Sequence, residues 1–563
     1  MKQQQETYYL PKGWKLARLD DVAVIVTGNT PPTNIRAYFN GDIPFYKPSD
    51  LNEDYIKESR DTLSELGKEF SRILPKNSIL ITCIGSLGKS GIISKEGAFN
   101  QQINGVLPIL SNTLFFYYQI ISQQFQNLIR SNASATTVAI LNKSKLGNLP
   151  FLIAPLDEQN LIATQIDLLF GKLNEAEKGL RTANSSLKIY RQSLLKNAFE
   201  GVLTKNWRRD LSVDAYQELT NIQKKRKDKF HAELESKKGK KIKIDFEFDY
   251  KRDNKISSWA ISSLDNLIDI NARIGWRGLT KKEYTNEGAL FLSVHSLNYG
   301  KNVVFKDANF ISIERYNESP EIQLKENDIL LCKDGAGIGK VGIVKKLPDK
   351  ATVNSSLLVI DAREVFNPDF LYYFFLGPDM QRLVNEKISG TAIPHLFQKD
   401  IKKFKLKVPP ILEQDKIVEI LESRFTLVDN LEKTIDNVLN EIIALKHSIL
   451  KKAFEGRLVS YTSNESVENL LNDIQEVKRL YLENQKELTR SKPKQKKKME
   501  EKKSILDILK KSDSPISAQE LWEKSTSEGD IERFYSEIKE IYHQIDELKS
   551  KTESLLSLKD ENK

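Results

Sequence analysis

The sequence is poor in the residues on which several classes of protein depend. Its 563 residues include two cysteines, Cys83 and Cys332, too few for a disulfide framework. Five scattered histidines lack the spacing of a metal site. No run of about 18 apolar residues predicts a membrane-spanning helix, and the opening residues MKQQQETYYLPKGW lack the apolar stretch of a secretory signal. We therefore expect a cytoplasmic protein with no membrane partner.

Motifs for catalysis are incomplete. Residues 83–90, CIGSLGKS, resemble a phosphate loop, but Cys83 stands where that loop requires glycine. The corresponding copy has Asp334 there, and Val341 replaces the magnesium-binding hydroxyl. Residues 367–370, NPDF, are similar to the Asn-Pro-Pro-aromatic element of adenine methyltransferases but differ at the third residue, and no glycine-rich cofactor loop precedes them. We expect a non-catalytic chain that binds no cofactor itself, although backbone N–H groups of the glycine turns could meet DNA phosphate.

An internal duplication dominates the sequence. Residues 193–203, SLLKNAFEGVL, and 448–458, SILKKAFEGRL, match at eight of eleven positions, and PLDEQ at 155–159 is echoed by PILEQ at 410–414 with the same offset of 255. Short apolar runs separated by glycine, proline and asparagine precede each copy and predict mixed, mostly β structure. The cysteines fall at equivalent places in these runs and should be buried. One helix is predicted over 113–132, with core aromatics at 115–118.

Each repeat closes with an apolar heptad pattern. In the first copy it consists of Ile162, Ile166, Leu169, Leu173, Ala176, Leu180, Ala183, Leu187, Tyr190 and Leu194. In the second copy it consists of Ile417, Leu421, Val428, Leu431, Ile435, Val438, Ile442, Leu445 and Ile449, with Arg424 interrupting. Neither helix can bury its stripe alone, so we expect the two to pack against each other, antiparallel. About 40 residues of helix would span roughly 60 Å, nearly two turns of B-DNA.

The tail beyond residue 460 lies outside the repeat. After the Lys-rich stretch 490–498, residues 505–525 show the helix–turn–helix pattern of a small winged-helix-like unit. A short coiled coil is then predicted by Phe534, Ile538, Ile541, Ile545, Leu548, Thr552 and Leu555. Residues 460–563 carry 20 Lys and Arg against 22 Asp and Glu, so we expect this tail to bind protein rather than DNA.

About residues 10–460 resemble the specificity subunit of Type I restriction–modification enzymes. The similarity rests on TGNTPP at 27–32, on GDIPFYKPSDL at 41–51 with a weaker partner at 288–297, and on Gly-Lys loops followed by Asn100 and Asn354. It also rests on Ser-x-Thr elements at 134–136 and 389–391 that lead into Pro-x-x-Glu-Gln and Ala-Phe-Glu-Gly. The second half has RIGWR at 273–277 in place of TGNTPP, which implies that the two halves read different sequences.

The resemblance implies an α+β fold with two similar target-recognition domains, separated and joined by a pair of long antiparallel coiled-coil helices. The expected divisions are 1–154 (first recognition domain), 155–205 (central helix), 206–256 (basic linker), 257–408 (second recognition domain), 409–459 (distal helix) and 460–563 (helical extension). The linker carries most of the chain's excess positive charge, and a connector is favoured over a phosphate-binding segment.

The implied partners are double-stranded DNA, two methyltransferase subunits and restriction motor-nuclease subunits. S-adenosylmethionine, ATP and Mg²⁺ would be held by those partner subunits. Candidate DNA-binding side chains are polar or cationic loop residues: Asn29, Thr30, Lys47, Ser49, Lys89, Gln101 and Thr136 in the first half, and Arg273, Arg277, His295, Lys333, Lys340, Asn354 and Thr391 in the second. Two alternatives stay open at this point: a coiled-coil adaptor that binds only protein, and a self-contained DNA modification enzyme.

Overall fold

The computed structural model describes residues 10–134, 139–236, 249–265, 267–273, 279–389, 395–460, 467–491, 503–512, 514–527, 530–549 and 554–559. Within these ranges, no helix combines the length and apolarity needed to cross a bilayer. Mixed helices and sheets with two long helices make up the chain, which confirms the coarse fold prediction.

The first globular half is built from short strands. They are β1 (Lys15–Arg18), β2 (Ala23–Thr27), β3 (Phe39–Tyr46), β4 (Tyr55–Ile56), β5 (Asp61–Leu63), β6 (Ile73–Leu74), β7 (Ile79–Thr82), β8 (Ser90–Ile93), β9 (Gly97–Phe99), β10 (Ile103–Pro108) and β11 (Pro150–Ile153). Its helices are α1 (Leu19–Val22), α2 (Glu65–Glu69), α3 (Thr113–Ile121), α4 (Gln123–Asn132) and α5 (Lys143–Gly147). The sheet orders are β2-β10-β7-β8-β4, β5-β3-β9-β6 and β1-β11.

The single helix predicted over 113–132 is two helices. Ser122 takes an extended conformation (φ −61°, ψ 145°) between α3 and α4, and its side chain caps α4 by accepting the Phe125 N–H at 3.3 Å. A serine that caps a new helix competes with continuation of the old one. The aromatic residues 115–118 are buried in the core of this half, as predicted.

The second half repeats the plan. After the first long helix, α6 (Leu156–Phe199), and α7 (Ala215–Ser236), its strands are β12 (Tyr250–Arg252), β13 (Ala260–Ser263), β14 (Asp269–Ala272), β15 (Tyr284–Thr285), β16 (Ala289–Leu292), β17 (Asn309–Ile311), β18 (Ile329–Cys332), β19 (Val341–Ile343), β20 (Ala351–Val353), β21 (Leu357–Asp361) and β22 (Lys405–Val408). Its helices are α8 (Ile313–Asn317), α9 (Pro368–Leu376), α10 (Pro378–Ser389) and α11 (Gln398–Lys402).

Strand order shows that the two halves are structural copies. The order β14-β21-β18-β19 matches β2-β10-β7-β8, and the parallel pair β16–β20 matches β3–β9. The order β12-β13-β22 adds β12, from the predicted linker, to the sheet of the second half. The segment 206–256 is therefore partly a structural element of that half.

The long helices α6 and α12 (Ile411–Phe454) contain 44 residues each, or about 66 Å. Glu177 pairs with Lys446 (Oε2–Nζ 3.2 Å) and Arg191 with Glu432 (Nη2–Oε2 3.0 Å), so the helices run in opposite directions. One residue per heptad of α12 is buried: Leu421, Val428, Ile435, Ile442 and Ile449. The other apolar row, which includes Leu431 and Leu445, remains substantially exposed. The predicted seam is thus only half covered within this chain.

Each Ala-Phe-Glu-Gly motif ends a long helix and docks it on the opposite half. Gly201 has φ +72° and Gly456 φ +66°, conformations that favour glycine at a helix C-terminus. The Phe199 ring lies 5.2 Å from that of Phe370 in α9, and the Phe454 ring lies 5.4 Å from that of Phe115 in α3. Both ends of the helix pair are therefore fixed to a globular half.

The duplication extends past residue 460, contrary to the prediction. Helix α13 (Val467–Ser491) follows α12 as α7 follows α6. Val467 and Ile474 are buried against the first half, and at an offset of 252 they correspond to Ala215 and Ile222, which pack on the second half. Low identity hid this correspondence in the sequence, since only the apolar contact positions are shared.

The end of the tail is not a coiled coil. It contains α14 (Ile505–Lys510), β23 (Ile516–Ser517), α15 (Ala518–Lys524), α16 (Ile531–Ile541), β24 (Ile545–Lys549) and β25 (Ser554–Leu558). The heptad predicted through residue 555 breaks at Ile541, and β24 and β25 pair antiparallel. The sheet order β23-β25-β24 and the order of elements are those of a winged helix. We call residues 503–559 the winged unit.

A fully buried carboxylate joins the two repeats. Glu413, near the start of α12, accepts hydrogen bonds at Oε1 from Thr204 Oγ1 (2.6 Å) and Arg208 Nε (2.8 Å), and at Oε2 from Trp259 Nε1 (2.8 Å). The Arg208 guanidinium also lies 5.1 Å from the Trp259 ring centre. In the first half, burial raises the pKa of the corresponding Glu158, and Val459 stands at the position of Thr204.

We predict that Glu413→Gln lowers the free energy of unfolding by about 3–5 kcal/mol, because it leaves the Arg208 guanidinium, which is only 14% exposed, without its counter-ion. The control is the equivalent substitution Glu158→Gln, which should change stability little because Ser463 stands at the position of Arg208 in the first half. Urea unfolding of both variants at pH 7 measures the difference. Equal losses would contradict the special role of Glu413.

A second prediction concerns Asp328, which is buried at the turn before β18 and has its pKa raised to about 6 by that burial. The native state holds this proton above the pKa of the unfolded chain, so Asp328 lowers stability as pH rises through about 4 to 6. We expect Asp328→Asn, which keeps an acceptor for the Lys325 N–H, to raise the free energy of unfolding by about 1–3 kcal/mol at pH 8 and to have little effect at pH 4. Thermal unfolding across this range measures the effect, and a pH-independent difference would contradict it.

Candidate nucleic-acid interface

The candidate surface of the first half begins where β2 ends. The Gly28 N–H donates to the Ile103 carbonyl (3.0 Å), and a Cβ at Gly28 would lie 2.2 Å from the Asn100 carbonyl oxygen. Only glycine allows this approach, which brings the loop after β2 against the loop before β10. Thr30 Oγ1 consequently donates to Gln101 Oε1 at 2.7 Å. Two predicted site residues from distant parts of the sequence thus meet at one edge.

Asn29 holds a neighbouring segment in place. Its Nδ2 donates to the Phe70 carbonyl (2.6 Å), and its Oδ1 accepts the Arg72 N–H (2.8 Å). The Arg72 guanidinium in turn donates to the Thr27 carbonyl at 2.6 Å. Both ends of the Asn29 side-chain amide are therefore hydrogen-bonded within the protein. The exposed Arg72 lies beside Asn29, although no sequence motif distinguishes it.

Lys47 and Ser49 lie on the turn after β3. Lys47 Nζ is 2.8 Å from Asp61 Oδ2, and the backbone N–H of Lys47 donates to Asp50 Oδ2 at 2.8 Å. Ser49 is exposed. The turn thus presents a hydroxyl and a partly neutralised ammonium group to solvent.

The two glycine loops are built alike and do not form phosphate cradles. Gly88 and Gly339 have φ of +83° and +84°. Their carbonyls accept from Gln126 Nε2 (3.0 Å) and Gln381 Nε2 (3.4 Å), respectively. The N–H groups of Gly88 and Lys89 donate to Thr82, and that of Gly339 donates to Cys332, so the expectation that these amides are free for phosphate is wrong.

Cationic side chains project from both glycine loops. Lys89 is exposed. Lys340 Nζ donates to Asn298 Oδ1 at 2.6 Å, beside the short 3₁₀ turn Val294–Leu297 that carries the exposed His295. The second half therefore gathers Lys340 and His295 on one surface.

Asn354 shapes a turn. Its N–H donates to the Leu292 carbonyl (2.9 Å), and its Oδ1 accepts the Ser356 N–H (3.1 Å). Asn100 makes the same two bonds in the first half, to the Tyr46 carbonyl and from the Gln102 N–H. The paired asparagines are thus a feature of the duplicated frame.

A cluster on the second half joins Lys333 to an exposed aromatic ring. Asp334 forms an ion pair with Lys333, and its Oδ1 lies against Nδ1 of the His395 ring. The Phe397 ring lies 4.4 Å from that of His395, Lys399 Nζ lies 5.1 Å from the Phe397 ring centre, and Phe397 is 48% exposed. No sequence motif distinguishes His395, Phe397 or Lys399, because an isolated phenylalanine reads as a core residue.

Arg273 is buried instead of being presented at the surface. It is 4% exposed, its Nε donates to the Val353 carbonyl at 3.3 Å, and its guanidinium lies 5.6 Å from the Phe291 ring centre. Burial lowers the pKa of Arg273, and the nearby Arg315 lowers it further. The other predicted residues, Arg277, Thr136 and Thr391, lie outside the described residues.

Both cysteines are buried, and burial raises the pKa of the Cys83 thiol to about 12. They are not at equivalent positions, however. Gly88 donates to the carbonyl of Thr82 as Gly339 donates to that of Cys332, so Thr82 corresponds to Cys332 and Cys83 lies one residue further on. The predicted equivalence of the two cysteines is wrong because the second glycine loop, from Cys332 to Gly339, is one residue longer than the first, from Thr82 to Gly88.

Known proteins share both the sequence and the architecture. Residues 11–183 and 216–441 match the family described as Type I restriction modification DNA specificity domain. The specificity subunit of the Type I restriction enzyme EcoBI from Escherichia coli is 26% identical over 349 residues, which cover 62% of this chain and 66% of that protein. The MjaIX specificity subunit from Methanocaldococcus jannaschii is 25% identical over 460 residues, which cover 80% and 94%.

A solved structure has the same fold. A chain from work on the assembly and conformational transition of the type I R-M system superposes with a TM-score of 0.58 at 15% identity, covering 80% of this chain and 100% of that one. The matched family segments span well over half of the present chain. The chain therefore belongs to the Type I restriction modification DNA specificity family, and its function is DNA recognition rather than catalysis.

Proposed function

We propose that this chain reads a bipartite DNA target, with one half-site contacted by each globular half. The observation that carries the proposal is a duplicated frame with divergent surfaces. Gln159 and Gln414, buried at equivalent places, make the same bonds: each accepts the N–H of an asparagine that caps a helix (Asn112 and Asn367) and donates to a carbonyl before its own long helix. The surfaces differ, with Thr30–Gln101 on one half and the cluster around Phe397 on the other.

The long helices set the distance between the half-sites. Helices α6 and α12 pack antiparallel, and each is fixed at its end to the opposite half through Phe199 or Phe454. Two target-recognition domains held this way by an antiparallel coiled coil cannot approach each other. A rigid spacer of this kind explains how one chain would read two short sequences separated by unread base pairs.

Two methyltransferase subunits are the proposed partners of the helix pair. Leu427, Leu431 and Leu445 are exposed on α12, with the half-buried Val438 between them, and Tyr190 is exposed on α6. Apolar stripes at heptad spacing accept further helices. Because the repeat is duplicated, it offers two related surfaces, which suit two copies of one partner.

The chemistry of modification and cleavage would then reside on the partners. The methyltransferase subunits would bind S-adenosylmethionine, and restriction motor-nuclease subunits would use ATP and Mg²⁺. The assembly would act in the cytoplasm, where the DNA is. Family membership favours this arrangement over a protein-only adaptor and over a self-contained modification enzyme.

The bipartite proposal predicts that substitutions in each half affect one half-site only. In the complex with methyltransferase subunits, Gln101→Ala should relax base preference in one half-site by roughly tenfold and Phe397→Ala in the other, since a lost base contact costs about 1–3 kcal/mol. Methylation of a randomised duplex library, followed by sequencing, measures both. The control, Lys433→Ala on the exposed surface of α12, should alter neither. Relaxation of the same half-site by both variants would contradict the proposal.

The docking proposal predicts that Leu445→Glu weakens methyltransferase binding by at least about tenfold, because it places a charge in an apolar interface. Leu445 is half exposed, so the free chain should keep its thermal stability. Sedimentation of the chain with purified methyltransferase subunit measures the effect. Asn440→Glu, exposed on another side of the same helix, is the matched control. Equal binding by the two variants would refute this site.

A further inference from the structure

The winged unit has a hydrophobic core of its own and follows the second of the two repeats. Its core consists of its own residues: Ile505, Leu509, Ile516, Leu521, Phe534, Ile538, Ile545, Leu556 and Leu558. Helices α15 and α16 stand in the positions of a helix–turn–helix, in which the second helix ordinarily enters the DNA major groove. If the unit bound DNA, α16 would therefore be the helix that enters the groove.

The charge of α16 does not suit DNA. The winged unit, residues 503–559, contains nine Lys and Arg against twelve Asp and Glu. On α16 itself Glu532, Glu537 and Glu540 outnumber Arg533 and Lys539, and Arg533 Nε is already paired with Glu537 Oε1 at 2.8 Å. Phosphate contacts by Lys and Arg supply most of the affinity of DNA-binding modules. The excess of carboxylates on α16 would instead repel the DNA phosphates.

The apolar exposure of α16 suits a protein partner. Ile531 is 52% exposed, Tyr535 61% and Tyr542 54%. Ile531 and Tyr535 lie four residues apart on one side of α16, and Tyr542 follows the last residue of that helix, seven residues beyond Tyr535. The Tyr542 hydroxyl donates to Glu547 Oε2 (3.1 Å) on β24, and the same strand carries Leu548, which is 60% exposed. Exposed tyrosines and aliphatic side chains grouped in this way mark protein interfaces.

We propose that the winged unit docks a protein segment whose apolar side chains are flanked by lysine or arginine. The apolar side chains would lie on Ile531, Tyr535 and Tyr542, and the flanking cations would face Glu532 and Glu540, which are both exposed. The described residues contain one such unit, so it distinguishes the two otherwise similar halves. This inference rests on the proposed function, because its test uses the methyltransferase and motor-nuclease subunits as probes.

The test compares Tyr535→Asp with Ser536→Asp in the full-length chain. Both residues are exposed and adjacent, but successive helix positions point about 100° apart, so Ser536 lies off the stripe. The probes are purified methyltransferase subunit, purified motor-nuclease subunit and a 20-base-pair duplex, each titrated at about 0.05 and 0.3 M salt. We expect one protein probe to bind the wild-type and Ser536→Asp chains equally and Tyr535→Asp at least about tenfold more weakly. We also expect its binding to weaken with salt.

A second variant tests the charge complement. Glu532→Lys combined with Glu540→Lys should weaken the same probe, whereas Glu523→Lys, exposed on α15, should not. Equal affinity of the wild-type, Tyr535→Asp and Ser536→Asp chains for both protein probes would overturn the docking inference. Binding of the duplex by the wild-type chain that is lost in the Tyr535→Asp chain would also overturn the docking inference. Sequence-specific methylation by the Tyr535→Asp complex separates the two proposals, because its persistence shows that DNA reading is intact whatever the docking result.

Discussion

The buried carboxylate of Glu413 is the contact on which the relation between the two repeats depends. It accepts hydrogen bonds from three donors: Thr204 and Arg208, which follow the first long helix, and Trp259, which opens the second globular half. A buried charge holds its partners more strictly than apolar packing does, because an unpaired charge cannot be solvated by a shifted neighbour. The Ala-Phe-Glu-Gly end of α6, the start of α12 and the second half therefore move as one body. At the other junction, the sequence has Val459 and Ser463 in place of Thr204 and Arg208, and burial raises the pKa of Glu158.

The duplicated frame and the divergent surfaces follow different rules. Frame positions such as Gln159 and Gln414, or Gln126 and Gln381, bind backbone atoms that every copy of the fold must satisfy. Surface positions such as Gln101 and Phe397 bind atoms specific to one half and can change without loss of the fold. Under the proposed function, specificity would therefore reside in side chains that do not hold the fold together, and half-site spacing in side chains that do.

Sequence patterns predicted the parts of the fold that obey a simple period. The heptads located α6 and α12 to within a few residues, because apolar residues recur at heptad spacing along both helices. The same reasoning failed at Ser122, where a cap interrupts a continuous pattern, and beyond Ile541, where strand residues Ile545 and Leu548 happened to fit a heptad. Candidate site residues could be chosen by chemical type, but their partners could not. That Thr30 meets Gln101, or that Arg273 is buried, depends on how distant segments fold together.

Those partners bear on how the surface would discriminate between sequences. Thr30 is bonded to Gln101, Lys340 to Asn298, and Lys333 to Asp334, so much of the candidate polar surface is satisfied before DNA arrives. A base that offers matching donors and acceptors can replace these internal bonds at little net cost. A base that does not match leaves groups unpaired, and each such group costs about 1–3 kcal/mol. Under this proposal a correct sequence would gain only modestly from each contact, while an incorrect one would be strongly penalised. Specificity obtained in this way does not require tight binding by the isolated chain, which agrees with the small excess of positive charge on its two halves.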